Sequence, residues 1–138
     1  MKRKVKKILS AVFIISFLPF FVYAQDKDKK WEAPSSAKAI KNPVATSDES
    51  ISEGKTIYAK QCKSCHGSKG KGDGPKAANL EKECGDLSTA EFQSLKDGEI
   101  FWMIIEGNDP MPTFKKKITE EEAWQVVNYI RTLEDKKK

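Results

Sequence analysis

The sequence predicts an all-α domain. Apolar residues recur at helical spacing in three stretches, each stretch opens on a capping pattern, and no segment alternates with period two long enough to make a strand. Ser50 with Glu53 reads as a capping box, after which Ile51, Gly54, Ile57, Tyr58 and Gln61 share one face as the chain runs to Cys62. Ser88 with Glu91 repeats the pattern before Phe92 and Leu95. Beyond Asp97-Gly98, Ile100, Phe101, Ile104 and Ile105 keep helical spacing until Gly107 stops them. Thr119 with Glu122 opens the last helix. Its inward stripe is Ala123, Val126, Val127, Ile130 and Leu133, and Ile118 is placed to staple against Ala123. Three main helices and some short helical segments are expected.

The 138 residues suffice for one domain, which excludes a multidomain enzyme. Residues 1–24 have the layout of a secretory signal. A basic stretch from Lys2 to Lys7 precedes an apolar run from Ile8 to Phe21, and Val22-Tyr23-Ala24 supplies small residues at the −3 and −1 positions of a cleavage site. The expected location is therefore periplasmic or otherwise exported. The alternative is an uncleaved anchor, since a run of about 17 residues meets the lower limit for crossing a bilayer core. Residues 25–49 hold Trp31, Ile40 and Val44 among polar residues, with Pro34 and Pro43, and read as an extended arm whose tryptophan points to packing over the domain or, alternatively, to a larger partner. The compact domain is expected over residues 50–138. So small a body has a thin core that a disulfide, metal or cofactor often completes.

The net charge of +5 does not argue for nucleic acid. Five of the 25 basic residues lie within residues 1–24, which contain no acid, so the rest of the chain balances 20 bases against 20 acids.

The chemistry is concentrated in Cys62-Lys63-Ser64-Cys65-His66. Two cysteines spaced C-x-x-C can add their sulfurs to the two vinyl groups of a haem, and the histidine that follows is carried under the porphyrin to the iron. Three other readings compete. A Cys62–Cys65 disulfide would close too short a loop to constrain the unfolded chain much. A redox dithiol would want a βαβ setting that the sequence lacks. A zinc site from Cys62, Cys65, His66 and Cys84 would force adjacent residues onto one tetrahedral ion. One covalently bound haem c is the expectation, with Cys62 and Cys65 as thioether donors and His66 as an axial ligand.

From Ser50 to Leu133 the chain resembles the class I cytochrome c family. Cys65-His66-Gly67, then Gly70-Lys71-Gly72-Asp73-Gly74-Pro75 and Asn79-Leu80, resemble the loop that covers one haem face in exported bacterial members. The resemblance implies a cytochrome c-like fold, with the Pro75 carbonyl accepting the ring N–H of His66. It also implies a close pairing of the first and last helices, with Gly54 and Tyr58 set against Val126 and Tyr129. For the sixth iron position the chain past residue 24 offers Met103 and Met111 and no second histidine. Met111 stands between Pro110 and Pro112 in a rigid loop, in a Met-Pro setting like the family's, whereas Met103 falls inside an apolar helical stretch that suits a core filler. Met111 is the expected ligand, and a thioether opposite an imidazole suits electron transfer.

The expected function is one-electron transfer between redox partner proteins, membrane respiratory complexes among them, with no reaction catalysed and no small-molecule substrate. A haem c subunit of a respiratory complex is the alternative. A catalytic or ligand-sensing haem protein would need an open sixth position and distal acid–base groups. Lys115, Lys116 and Lys117 read either as a docking patch for an acidic partner or as a solvated turn, and Cys84 as a buried thiol or a partner for another chain.

Overall fold

The computed structural model describes residues 30–135, so the secretory signal expected at residues 1–24 lies outside the described residues. Within them the chain is helical: α1 Asp48–Gln61, α2 Lys63–His66, α3 Ala90–Gln93, α4 Asp97–Glu106 and α5 Glu120–Arg131, with two short 3₁₀ turns, Ser35–Ala39 and Ala77–Asn79. The all-α expectation holds, and α1, α4 and α5 are the three main helices.

Two helix starts differ from expectation. α1 begins at Asp48 because Ser47 is its cap: the Ser47 hydroxyl accepts from the Ser50 N–H and the Ser50 hydroxyl accepts from the Ser47 N–H, both at 3.1 Å. Ser50 is the third helical residue. It is buried and also donates to the Ala45 carbonyl, while Asp48 and Glu49 meet the positive end of the helix dipole. α3 is capped by Thr89, whose hydroxyl accepts from the Phe92 N–H. Ser88, the expected cap, is buried and bonded through both its N–H and its hydroxyl to the Asp86 carboxylate. The α5 cap is the Thr119–Glu122 box expected, and α4 ends at Gly107 with φ +69°.

The core forms where α5 crosses α1 and packs on α4. Val126 and Val127 are fully buried there, Ile100, Ile104 and Ile130 nearly so. Tyr58 and Tyr129 pack with ring centroids 5.1 Å apart, and Phe101 stacks on the buried Trp124 at 4.0 Å. Burying a side chain of this class contributes about 1.5–3 kcal/mol. Arg131, at the end of α5, bonds the Asp97 carboxylate and the Gln93 and Leu95 carbonyls, which ties α5 to the α3–α4 link.

The described part of the stretch expected as an extended arm, residues 30–49, is packed on the domain. Ala33 and Ala37 are buried against Met103 of α4, and the Trp31 and Trp102 rings lie 6.2 Å apart. Asn128 of α5, 2% exposed, donates to the Val44 and Ala45 carbonyls and accepts from Asn42. The physical reason lies in side-chain size: two alanines and Gly98 let backbone meet backbone, and a Cβ on Gly98 would sit 2.1 Å from the Ala37 carbonyl oxygen. The expected boundary at Ser50 therefore does not mark where packing begins.

Candidate functional site

The motif Cys62–His66 follows α1 directly. Cys62 caps α1, its N–H donating to the Tyr58 carbonyl, and its own carbonyl accepts from the Cys65 and His66 N–H groups at 3.1 and 3.0 Å. The motif is thus one helical turn, in which positions i, i+3 and i+4 bring Cys62, Cys65 and His66 to one face.

A helix this short leaves its last carbonyls without partners, and the loop after it supplies them. Lys76, Gly74 and Gly72 donate to the Ser64, Cys65 and His66 carbonyls at 2.8, 3.0 and 3.0 Å. Gly74 lies so close that a Cβ would fall 2.5 Å from the Ser64 oxygen. The Gly67 carbonyl accepts from the buried Tyr58 hydroxyl at 2.8 Å, a link between α1 and the loop that residue spacing did not indicate.

His66 is half-buried. Burial pulls its imidazole below the usual histidine range, against an opposing contact from the Gly85 backbone, so the ring is neutral near pH 7. Its Nδ1 is buried without a hydrogen-bond partner. No hydrogen bond joins Nδ1 to the Pro75 carbonyl in this structure, and the ring's backbone contact is with Gly85.

All three cysteines are free thiols. Burial and then the neighbouring Cys65 push the Cys62 thiol up to about 12. Cys84 is half-buried and its side chain faces Cys65; burial and then Cys65 raise its thiol as well. What brings it there is the 84–87 segment lying along the glycine loop, where the Leu87 N–H donates to the Gly70 carbonyl and a Cβ on Gly72 would lie 2.2 Å from the Cys84 oxygen. Among the described residues no group of three or more His, Cys, Asp and Glu side chains is arranged to hold a metal ion, so the zinc arrangement is not assembled.

Met111 is on a separate loop. Asn108 and Met111 exchange backbone hydrogen bonds at 2.9 and 2.8 Å, closing a tight turn with a cis Asp109–Pro110 bond. The turn is fastened to α4, since the Thr113 hydroxyl and the Phe114 N–H both donate to the Ile105 carbonyl. Lys82 reaches across to the Asp109 carbonyl. Met111 and Cys62 both border the main apolar cluster, whereas Met103 is buried under the 31–46 segment as a packing residue. Of the three lysines, Lys115 pairs with Glu106 at 2.7 Å and Lys117 lies over the Phe114 ring.

Two free thiols and a neutral imidazole with an orphaned nitrogen, on one turn beside an apolar cluster, fit a haem and suit no hydrated ion. The fold and this donor set are those of a class I c-type cytochrome with one covalently bound haem c. The chain belongs to the family described as cytochrome c oxidase, cbb3-type, subunit III, whose model matches residues 49–130. Among solved structures it is similar to the KustC0563 c-type cytochrome at 31% identity, TM-score 0.53, over 59% of this chain and 98% of that one. It is also similar to a chain of the Kuenenia stuttgartiensis reducing HAO-like protein complex Kustc0457/Kustc0458, at 28% identity and TM-score 0.62, covering 70% of this chain and half the length of that one. Cytochrome cL of Methylophaga aminisulfidivorans, at 22% identity and TM-score 0.51, covers 63% of this chain and 57% of its own and shares the fold. A search of curated proteins gives no match.

Proposed function

We propose that Cys62 and Cys65 hold the haem through thioether bonds, that His66 and Met111 are its axial ligands, and that the exported protein passes single electrons between redox partner proteins. The supporting observation is the single helical turn that offers two thiols and a half-buried imidazole, its Nδ1 enclosed, on one face. A neutral imidazole presents a lone pair to a metal. Met111 brings a soft thioether on a turn fixed at both ends by backbone hydrogen bonds. The haem, when bound, supplies a one-electron iron centre. With both axial positions taken by the chain's own residues, no open site is left for a substrate.

Replacing Cys62 and Cys65 by alanine tests the attachment. The wild-type polypeptide should keep its haem through denaturation and acidic organic extraction and show c-type bands when reduced, and the double variant should lose both properties. A colourless, zinc-containing wild-type product from cells competent in haem attachment would sink the reading.

A second reading makes this chain the haem c subunit of a larger redox complex. It is favoured by the likeness to a chain taken from a protein complex. Isolating the native protein separately from membrane and soluble fractions distinguishes the two, since a carrier is recovered alone and a subunit with its partners. Removal of residues 1–24 on export belongs to the proposal and is read from the mature N-terminus.

A further inference from the structure

The segment from Trp31 to Thr46 lies outside the stretch matched by the family model, yet it packs on the helix that carries the Met111 loop. α4 is gripped from both ends. On its first turn, Gly98 lies against the Ala37 and Ile40 carbonyls and Lys38 pairs with the buried Glu99 at 3.7 Å, and further along Trp102 meets Trp31. At its C-terminal end begins the loop with Met111, fastened through the Ile105 carbonyl and through the Gly107 N–H, which donates to the Met103 carbonyl at 3.0 Å. Met103 is the joint between the two: its side chain is enclosed by Ala33 and Ala37, while its carbonyl holds the first residue of the loop.

We infer that Trp31–Thr46 is a positioning strap whose docking on α4 holds the Gly107–Phe114 loop, and with it Met111, in the conformation that offers the thioether to the site. The inference rests on the assignment of Met111 as an axial ligand. Interiors are close-packed, so a displaced strap leaves α4 with an uncovered face at Met103 and Trp102, and the helix shifts to re-cover it. The loop hangs from the carbonyls of that helix and follows it. The strap acts through α4 and does not touch the iron site itself.

Gly98→Ala is the direct test. A Cβ there falls 2.1 Å from the Ala37 oxygen, so the strap must lift, while the helix itself gains from the better helix former. A deletion of residues 31–42 is measured beside it. Both are produced as exported haem proteins, and each is checked for covalent haem and helical circular dichroism. The readout is carbon monoxide binding to the reduced protein and the spectrum of the axial thioether.

Wild type should exclude carbon monoxide, Met111→Ala should bind it, and both strap variants should bind it at least about tenfold more readily than wild type with haem still attached. If the deletion does not fold, Gly98→Ala decides. Met111→Ala remaining closed would remove the ligand assignment. Met111→Ala opening while the folded strap variants stay closed overturns the strap alone.

Discussion

A Cβ on Gly54 of α1 would stand 1.9 Å from the Gln125 carbonyl oxygen of α5. The two helices cross with backbone against backbone, and one turn further on the crossing is closed by Tyr58 against Tyr129. Since α1 runs straight into the Cys62–His66 turn, this crossing sets where the motif stands relative to the core.

Gly54→Ala should therefore destabilise the haem protein by about 3 kcal/mol, at the upper end for overpacking, despite alanine's better helix propensity. Chemical denaturation followed by circular dichroism checks it. A change below about 0.5 kcal/mol would mean that the helices can part without loss.

The two methionines should separate cleanly. Met111→Ala should lower the midpoint potential and open the reduced iron to carbon monoxide. Met103→Ala, at 9% exposure, should mainly cost packing, about 2–4 kcal/mol, with its indirect effect on the axial spectrum smaller than that of Met111→Ala. Spectra of both variants decide, and the reverse pattern would exchange their roles.

Tyr58 makes the protein sensitive to alkali. Burial, with Cys62 as the second cause, raises its phenol above the ordinary value near 10. The unfolded chain therefore releases this proton first, so Tyr58's contribution to stability is complete below about pH 10 and is lost as pH rises above it. Tyr58→Phe should flatten that alkaline decline, at a cost near neutrality of about 1–3 kcal/mol for the Gly67 carbonyl left unbonded. Denaturation midpoints at pH 7 and 10.5 for both proteins provide the test.

The lysines after the Met111 loop should contribute unequally to partner docking. Lys115 is paired with Glu106 and Lys117 lies over Phe114, while Lys116 makes no ion pair among the described residues. Exposed charge is screened over about 8 Å at physiological salt, so electron exchange with an acidic partner should slow as salt rises. Lys116→Gln should remove more of that dependence than Lys115→Gln. Stopped-flow rates at two salt concentrations measure it, and equal salt slopes in all three proteins would discard the patch.

By itself the sequence determined the helical class, the end of α4 at Gly107, the start of α5 at Thr119 and the haem motif. Each of these is local: a capping pair such as Thr119 and Glu122 lies three residues apart, and Cys62, Cys65 and His66 meet within one turn. Tertiary structure decided the rest. Ser50 lost the cap to Ser47 because it was wanted in the interior, bonded to Ala45 and Asn128. The 31–46 stretch looked like a free arm because its apolar content is small, yet two alanines suffice where Gly98 and Met103 lie opposite. Trp31, a tryptophan in a polar segment, was the hint of packing, and its ring lies 6.2 Å from that of Trp102. Complementarity between segments some 60 to 80 residues apart leaves no period in either of them, so only the folded chain shows that the strap, α4 and the Met111 loop form one unit.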